Sequence, residues 1–83
     1  MKEELFQVAN MLMALMSKSN KDVINVFKKN ITNNSLDTAR IISDELVDFF
    51  AEMDDGSDIS RLKRELSSDL YDKTMQYYEL NNT

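Results

Sequence analysis

The chain has 83 residues, with 15 acidic side chains against 10 basic ones and a formal net charge of −5. It contains one glycine and no proline, cysteine, histidine or tryptophan. These absences exclude disulfides, thiolate metal sites, histidine-based catalysis and the turn-rich sequence of an all-β fold. We therefore expect an all-α protein with a single domain over residues 1–83, a compact bundle of about four helices.

The first predicted helix spans residues 2–18, where apolar residues recur every three or four positions. Its buried side is expected to contain Leu5, Val8, Ala9, Leu12, Leu15 and Met16. This apolar stretch follows Glu3 and Glu4 and is interrupted by Asn10, so it matches neither a signal peptide nor a bilayer-spanning helix. We expect a cytoplasmic protein that does not bind membranes.

The second predicted helix spans residues 20–30. Ser19 and Asp22 have the spacing of a capping box, in which each side chain bonds to the backbone of the other residue. The helix is expected to bury Val23, Ile24 and Phe27, with Val26 and Ile31 as further candidates. The asparagine- and threonine-rich segment 30–34 predicts a loop, because these side chains compete for backbone hydrogen bonds.

The third predicted helix spans residues 35–54, with Asn34 or Ser35 as its N-cap. Its apolar residues alternate at intervals of three and four and predict one buried seam. The seam consists of Ala39, Ile42, Leu46, Phe49 and Met53. Gly56 is expected to end the helix in a left-handed turn.

The fourth predicted helix spans residues 58–79, capped by Ser57 or Asp58. Its main apolar stripe contains Ile59, Leu62, Leu66, Leu70, Tyr77 and Leu80. A second stripe of Tyr71, Met75 and Tyr78 lies at intervals of four and three residues. Tyrosine and methionine are favoured at interfaces, so this stripe either covers the first helix or forms the contact of a homodimer.

Negative charge is concentrated in one part of the chain. Residues 37–58 carry eight acidic side chains and only one basic residue, Arg40. At 100° per residue, most of these acids fall opposite the predicted seam, with Ile41 among them. We call this set the acidic face; it consists of Asp37, Ile41, Asp44, Glu45, Asp48, Glu52 and Asp55. The pattern is typical of a solvated surface with one exposed isoleucine, or of a docking surface for a basic partner.

The aspartate-rich turn after the third predicted helix does not match a calcium-binding loop. If the loop starts at Asp54, Gly56 falls at its third position and Ile59 at its sixth, where an EF-hand needs glycine. The chain also lacks a glycine-rich phosphate loop and a histidine that could activate a serine. We expect no enzyme activity, no metal site and no cofactor.

The leading functional hypothesis is a non-enzymatic regulator or inhibitor, encoded by a phage or mobile element. It would bind a basic, nucleic-acid-handling protein through the acidic face. Direct binding to nucleic acid is disfavoured, because the phosphate backbone would repel an acidic chain. The alternatives are a homo-oligomeric assembly or scaffolding protein and an immunity-type protein, since small bacteriocin-immunity proteins share this size and helical class.

Overall fold

Four α-helices make up most of the computed structural model, which describes residues 1–82. They are α1 (Lys2–Ala14), α2 (Lys21–Thr32), α3 (Leu36–Glu52) and α4 (Asp58–Asn81), with a 3₁₀ turn at Lys18–Asn20 before α2. Residues 1–82 contain no strand, and the all-α prediction is confirmed. Each helix packs against two others, in the cyclic order α1, α2, α3, α4. Over the same residues, no helix combines the length and apolar character that crossing a membrane requires.

The hydrophobic core receives side chains from all four helices. Its fully buried large members are Leu5, Leu12, Ile24, Phe27, Ile31 and Leu70. Each such side chain stabilises the fold by roughly 1.5–3 kcal/mol through its removal from water. In α2, the periodicity correctly predicts Ile24 and Phe27 as buried, but Val23 and Val26 are exposed.

The buried sides of α3 and α4 are both rotated from the predicted ones, by about 60° at 100° per residue. In α3 the buried residues are Leu36, Ala39, Ser43, Leu46 and Phe50. In α4 they are Leu66, Ser67, Leu70 and Thr74. The prediction that Phe49 and Met53 lie in the buried seam is therefore wrong, and so is the burial of Ile59, Leu62 and Leu80.

Small hydroxyl side chains explain the rotation. Ser43 Oγ donates to the carbonyl oxygen of Arg40 at 2.8 Å, and Ser67 Oγ donates to that of Arg64 at 2.8 Å. Thr74 Oγ1 likewise donates to the carbonyl oxygen of Leu70 at 2.7 Å. Because each hydroxyl is satisfied by its own helix, these residues can be buried without an unpaired polar group.

Two helix ends differ clearly from the predictions. The first helix ends at Ala14 and not at residue 18, because Ser17 is extended (ψ 157°) and the 3₁₀ turn follows it. The second helix continues through Asn30 to Thr32. Asn30 and Thr32 do not break it, since their side chains donate to the carbonyl oxygens four residues earlier.

Some of the predicted helix caps are present in the structure and others are not. Ser57 caps α4 as expected, with Ser60 N donating to Ser57 Oγ at 3.2 Å. The capping box of Ser19 is not formed, because Ser19 lies in the 3₁₀ turn and its hydroxyl pairs with Ser17. Ser35 precedes α3 but makes no side-chain capping bond. Gly56 has the expected left-handed conformation, with φ 84°.

Candidate partner-binding surface

The acidic face is turned away from the core. Around α3, Ile41 lies about 180° from the centre of the buried side, and its side chain is 53 % exposed. Every acidic member of the face is also exposed: Asp37, Asp44, Glu45, Asp48, Glu52 and Asp55. These residues differ in the contacts they make, and the contacts divide the face into three parts.

Asp37, at the start of α3, is occupied by contacts within the chain. A hydrogen bond to its carboxylate raises the pKa of Tyr78 in α4. The guanidinium of Arg40 lies 4.0 Å from the Asp37 carboxylate and 5.0 Å from the centroid of the Tyr78 ring. Arg40 therefore makes a cation–π contact on one side and an ion-pair contact on the other.

Asp55, after the end of α3, is also occupied. Hydrogen bonds from Ser57 and from the Ser60 hydroxyl lower the pKa of Asp55 to about 2. The neighbouring Asp54 accepts a hydrogen bond from Gly56 N at 2.9 Å and lies 3.4 Å from Arg64. Both carboxylates thus lie beside the N-terminus of α4, where the helix dipole favours negative charge.

The middle of the acidic face has no such contacts. Asp44, Glu45, Asp48 and Glu52 form neither an ion pair nor a side-chain hydrogen bond with any residue in 1–82. Asp44, Asp48 and Glu52 are spaced four residues apart, so they form a row about 12 Å long along α3. This row, with Ile41 beside it, is the part of the acidic face that remains available for a partner.

One residue in the second stripe of α4 contacts the rest of the bundle. Tyr71, Met75 and Tyr78 are half-buried, and Tyr78 packs against the hydrophobic core. Tyr78 also makes the contacts with Asp37 and Arg40 described above. Tyr78 is therefore used inside the bundle, whereas Tyr71 and Met75 keep part of their surface exposed.

Beside the acidic face, an apolar groove runs between α2 and α3. This α2–α3 groove has a volume of about 270 Å³ and one charged lining residue, Glu45. Its other lining residues are Met16, Asn20, Val23, Ile42, Leu46 and Phe49. The Phe49 side chain is 40 % exposed, so an aromatic ring forms part of the surface at this position.

A second depression lies where α1 and α3 end and α4 begins. This end pocket has a volume of about 410 Å³ and shares Met16, Asn20 and Phe49 with the α2–α3 groove. The exposed side chains of Met53 and Ile59 contribute to it. Unlike the groove, it contains a basic residue, Lys63, opposite the acidic Asp55.

Neither depression is predicted by the sequence. The apolar pattern places Phe49 and Met53 in the buried seam of α3 and Val23 on the buried side of α2. Apolar periodicity identifies which residues could be buried, but the position of the neighbouring helices decides which of them are covered. The sequence contains no signal for this difference in α3, because Ser43, which lies at the centre of the buried side, is a polar residue.

Within residues 1–82, no group of three or more acidic side chains is arranged to hold a metal ion. The four central acids of the face, Asp44, Glu45, Asp48 and Glu52, lie on an open surface. The arrangement is suited to recognition through charge and apolar contact. No protein-family model, curated protein or solved structure matches the chain.

Proposed function

We propose that this protein is a non-enzymatic binding protein that regulates or inhibits a larger, basic partner protein. The observation that carries the proposal is the row of Asp44, Asp48 and Glu52, which is exposed and unpaired within residues 1–82. Acidic surfaces of this kind accelerate the encounter with a basic partner and select against acidic ones.

The spacing of the row gives the proposal a physical argument beyond net charge. Like charges four residues apart on a helix destabilise it by roughly 0.2–0.5 kcal/mol per pair. Asp44, Asp48 and Glu52 form two such pairs. Lysine or arginine side chains of a partner would relieve this repulsion, so binding would remove a cost that the free protein carries.

Ile41 supports the same surface. It is 53 % exposed and lies between acidic neighbours on the outer side of α3. An apolar side chain that is buried on binding contributes affinity, while charges around it contribute specificity and association rate. The combination favours a protein surface over a free polycation as the partner.

We propose that the partner is a cytoplasmic protein that handles nucleic acid. The acidic row would occupy the site at which this partner binds phosphate groups. Binding there would block access of DNA or RNA without any chemical step. Phage and mobile-element inhibitors of this size act in such a way, and the comparison is an analogy from size and charge. The proposal predicts an affinity that falls as salt concentration rises, because exposed charges are screened.

Affinity capture with three versions of the protein tests the proposal. The first is the wild type, and the second carries Asp44→Lys, Asp48→Lys and Glu52→Lys. The third carries Glu3→Lys, Glu65→Lys and Asp72→Lys, which change the net charge equally at exposed positions outside α3. We expect the wild type and the third version to capture the same partner protein. The second version should not capture it. Equal retention by all three, or no retained protein, would contradict the proposal.

A further inference from the structure

The α2–α3 groove extends the proposed binding surface beyond the acidic face. On α3, Glu45 lies about 40° from Phe49 around the helix axis, so the groove begins where the acidic face ends. Glu45 belongs to both surfaces. We propose that the groove is the docking site for an amphipathic helix of the basic partner, an inference that rests on the proposed function.

The size of the groove favours peptide side chains over a small molecule. Its volume of about 270 Å³ is below the range of roughly 300–1,000 Å³ that is usual for small-molecule sites. From Ile42 to Phe49 the groove follows about two turns of α3. A helix lying in it would insert apolar side chains three or four residues apart, the usual pattern of helix-in-groove recognition.

The charges around the groove determine the character of that helix. Its apolar stripe would contact Val23, Ile42 and Phe49, and the edge nearest Glu45 would face the acidic row. Lysine or arginine along this edge would pair with Glu45, with Asp48 one turn further along α3, and with Glu52 two turns further. The end pocket is a less suitable site for a basic helix, because Lys63 lies in it.

A second copy of the chain is a poorer occupant. A symmetric dimer through the groove would bring the same surface of both copies together. Glu45 and the acidic row of one copy would then approach those of the other, and like charges brought together in an interface oppose association. The charge complementarity of the surface therefore favours a basic helix over self-association.

Binding of a model peptide tests the groove directly. The probe is a helix of about four turns with leucine at intervals of three and four residues and lysine elsewhere. One control peptide replaces every lysine by glutamate, and another replaces every leucine by serine. We expect the first peptide alone to shift the NMR methyl signals of Val23 and Ile42, with the backbone amide of Phe49 shifting as well.

Two valines of α2 give a matched pair of variants. Val23 and Val26 are 43 % and 49 % exposed, but only Val23 lines the groove. Val23→Gln should weaken peptide binding at least about fivefold and Val26→Gln less than about twofold. Phe49→Ala should weaken it about tenfold or more. The Phe49 and Phe50 rings are in contact, with centroids 5.2 Å apart. The folding of the Phe49→Ala variant is therefore checked by circular dichroism.

Several outcomes would overturn the groove proposal. The first is an equal effect of the two valine substitutions on peptide binding. The second is a set of NMR shifts confined to Ile41 and Asp48. The third is binding of the glutamate peptide as tight as that of the lysine peptide. A dimer in sedimentation that Val23→Gln dissociates would assign the groove to a second copy. If reversal of the acidic row abolishes binding of the captured partner but Val23→Gln and Phe49→Ala bind it with wild-type affinity, the groove proposal is wrong and the proposed function stands.

Discussion

The two halves of α3 use their surface residues in different ways. In the N-terminal half, Asp37 and Arg40 contact Tyr78 of α4, so charged and aromatic groups are paired within the chain. In the C-terminal half, Phe49 and Met53 are exposed, and Glu45, Asp48 and Glu52 have no polar partner among residues 1–82. One helix therefore combines charges that are paired with α4 near its N-terminus with a row of unpaired acids that runs from Asp44 to Glu52.

The comparison shows that composition alone does not identify a binding surface. Both halves carry acidic and apolar residues. They differ because the C-terminal part of α4 supplies Tyr78 to one half, whereas Phe49 in the other half lines a groove together with Met16 and Val23. Surface residues without internal partners are the stronger indication of a binding site.

Truncation of one aromatic side chain in each half should give the largest difference in stability. Tyr78→Ala should lower the free energy of unfolding by about 2 kcal/mol, because it removes packing, a cation–π contact and a hydrogen bond. Phe49→Ala should lower it by about 1 kcal/mol or less, since that ring is already partly exposed. Urea denaturation measures both. Equal losses would show that the two halves are equally well packed.

Removal of the serine hydroxyls that precede α3 and α4 should have a smaller effect. Ser57→Ala should destabilise the protein by about 1 kcal/mol, because Ser57 caps α4 through Ser60 N. Ser35→Ala, at the corresponding position before α3, should change stability by a few tenths of a kcal/mol at most, as Ser35 makes no capping bond. A larger loss for Ser35→Ala than for Ser57→Ala in urea denaturation would contradict these assignments.

A single charge reversal in the acidic row should stabilise α3. Asp48→Lys replaces two repulsions, with Asp44 and Glu52, by two attractions at the same spacing. We expect a gain of about 1 kcal/mol in the free energy of unfolding at low salt, and a smaller gain at high salt. Thermal unfolding at two salt concentrations measures the change. A loss of stability would mean that the row is not under electrostatic strain.

The loop between α3 and α4 should make stability depend on pH in acid. The pKa of Asp54 and Asp55 is lower in the folded protein than in the unfolded chain. The unfolded state therefore binds more protons below about pH 4, and stability should fall as the pH decreases toward about 2. Asp55→Asn should make this decline shallower in urea titrations across the range. An unchanged decline would exclude Asp55 as a contributor.

The helices could be predicted from the sequence because periodicity, caps and the single glycine agree in most of the chain. The rotation of α3 and α4 could not, because hydroxyl residues such as Ser43 and Thr74 look polar but satisfy their hydrogen bonds within the helix. The outward direction of Ile41 followed from the position of the acids. The groove around Phe49 depends on where α1 ends and how α2 packs, which are properties of the whole bundle.

The most direct test of the account is the dissociation constant of the captured partner, measured by calorimetry with the three charge versions of the protein. We expect reversal at Asp44, Asp48 and Glu52 to weaken binding about a hundredfold or more, through like-charge contacts in the interface. The equal reversal at Glu3, Glu65 and Asp72 should change binding less than about threefold at the same salt concentration. Equal weakening by both versions would show that only net charge matters and would contradict a binding site on α3.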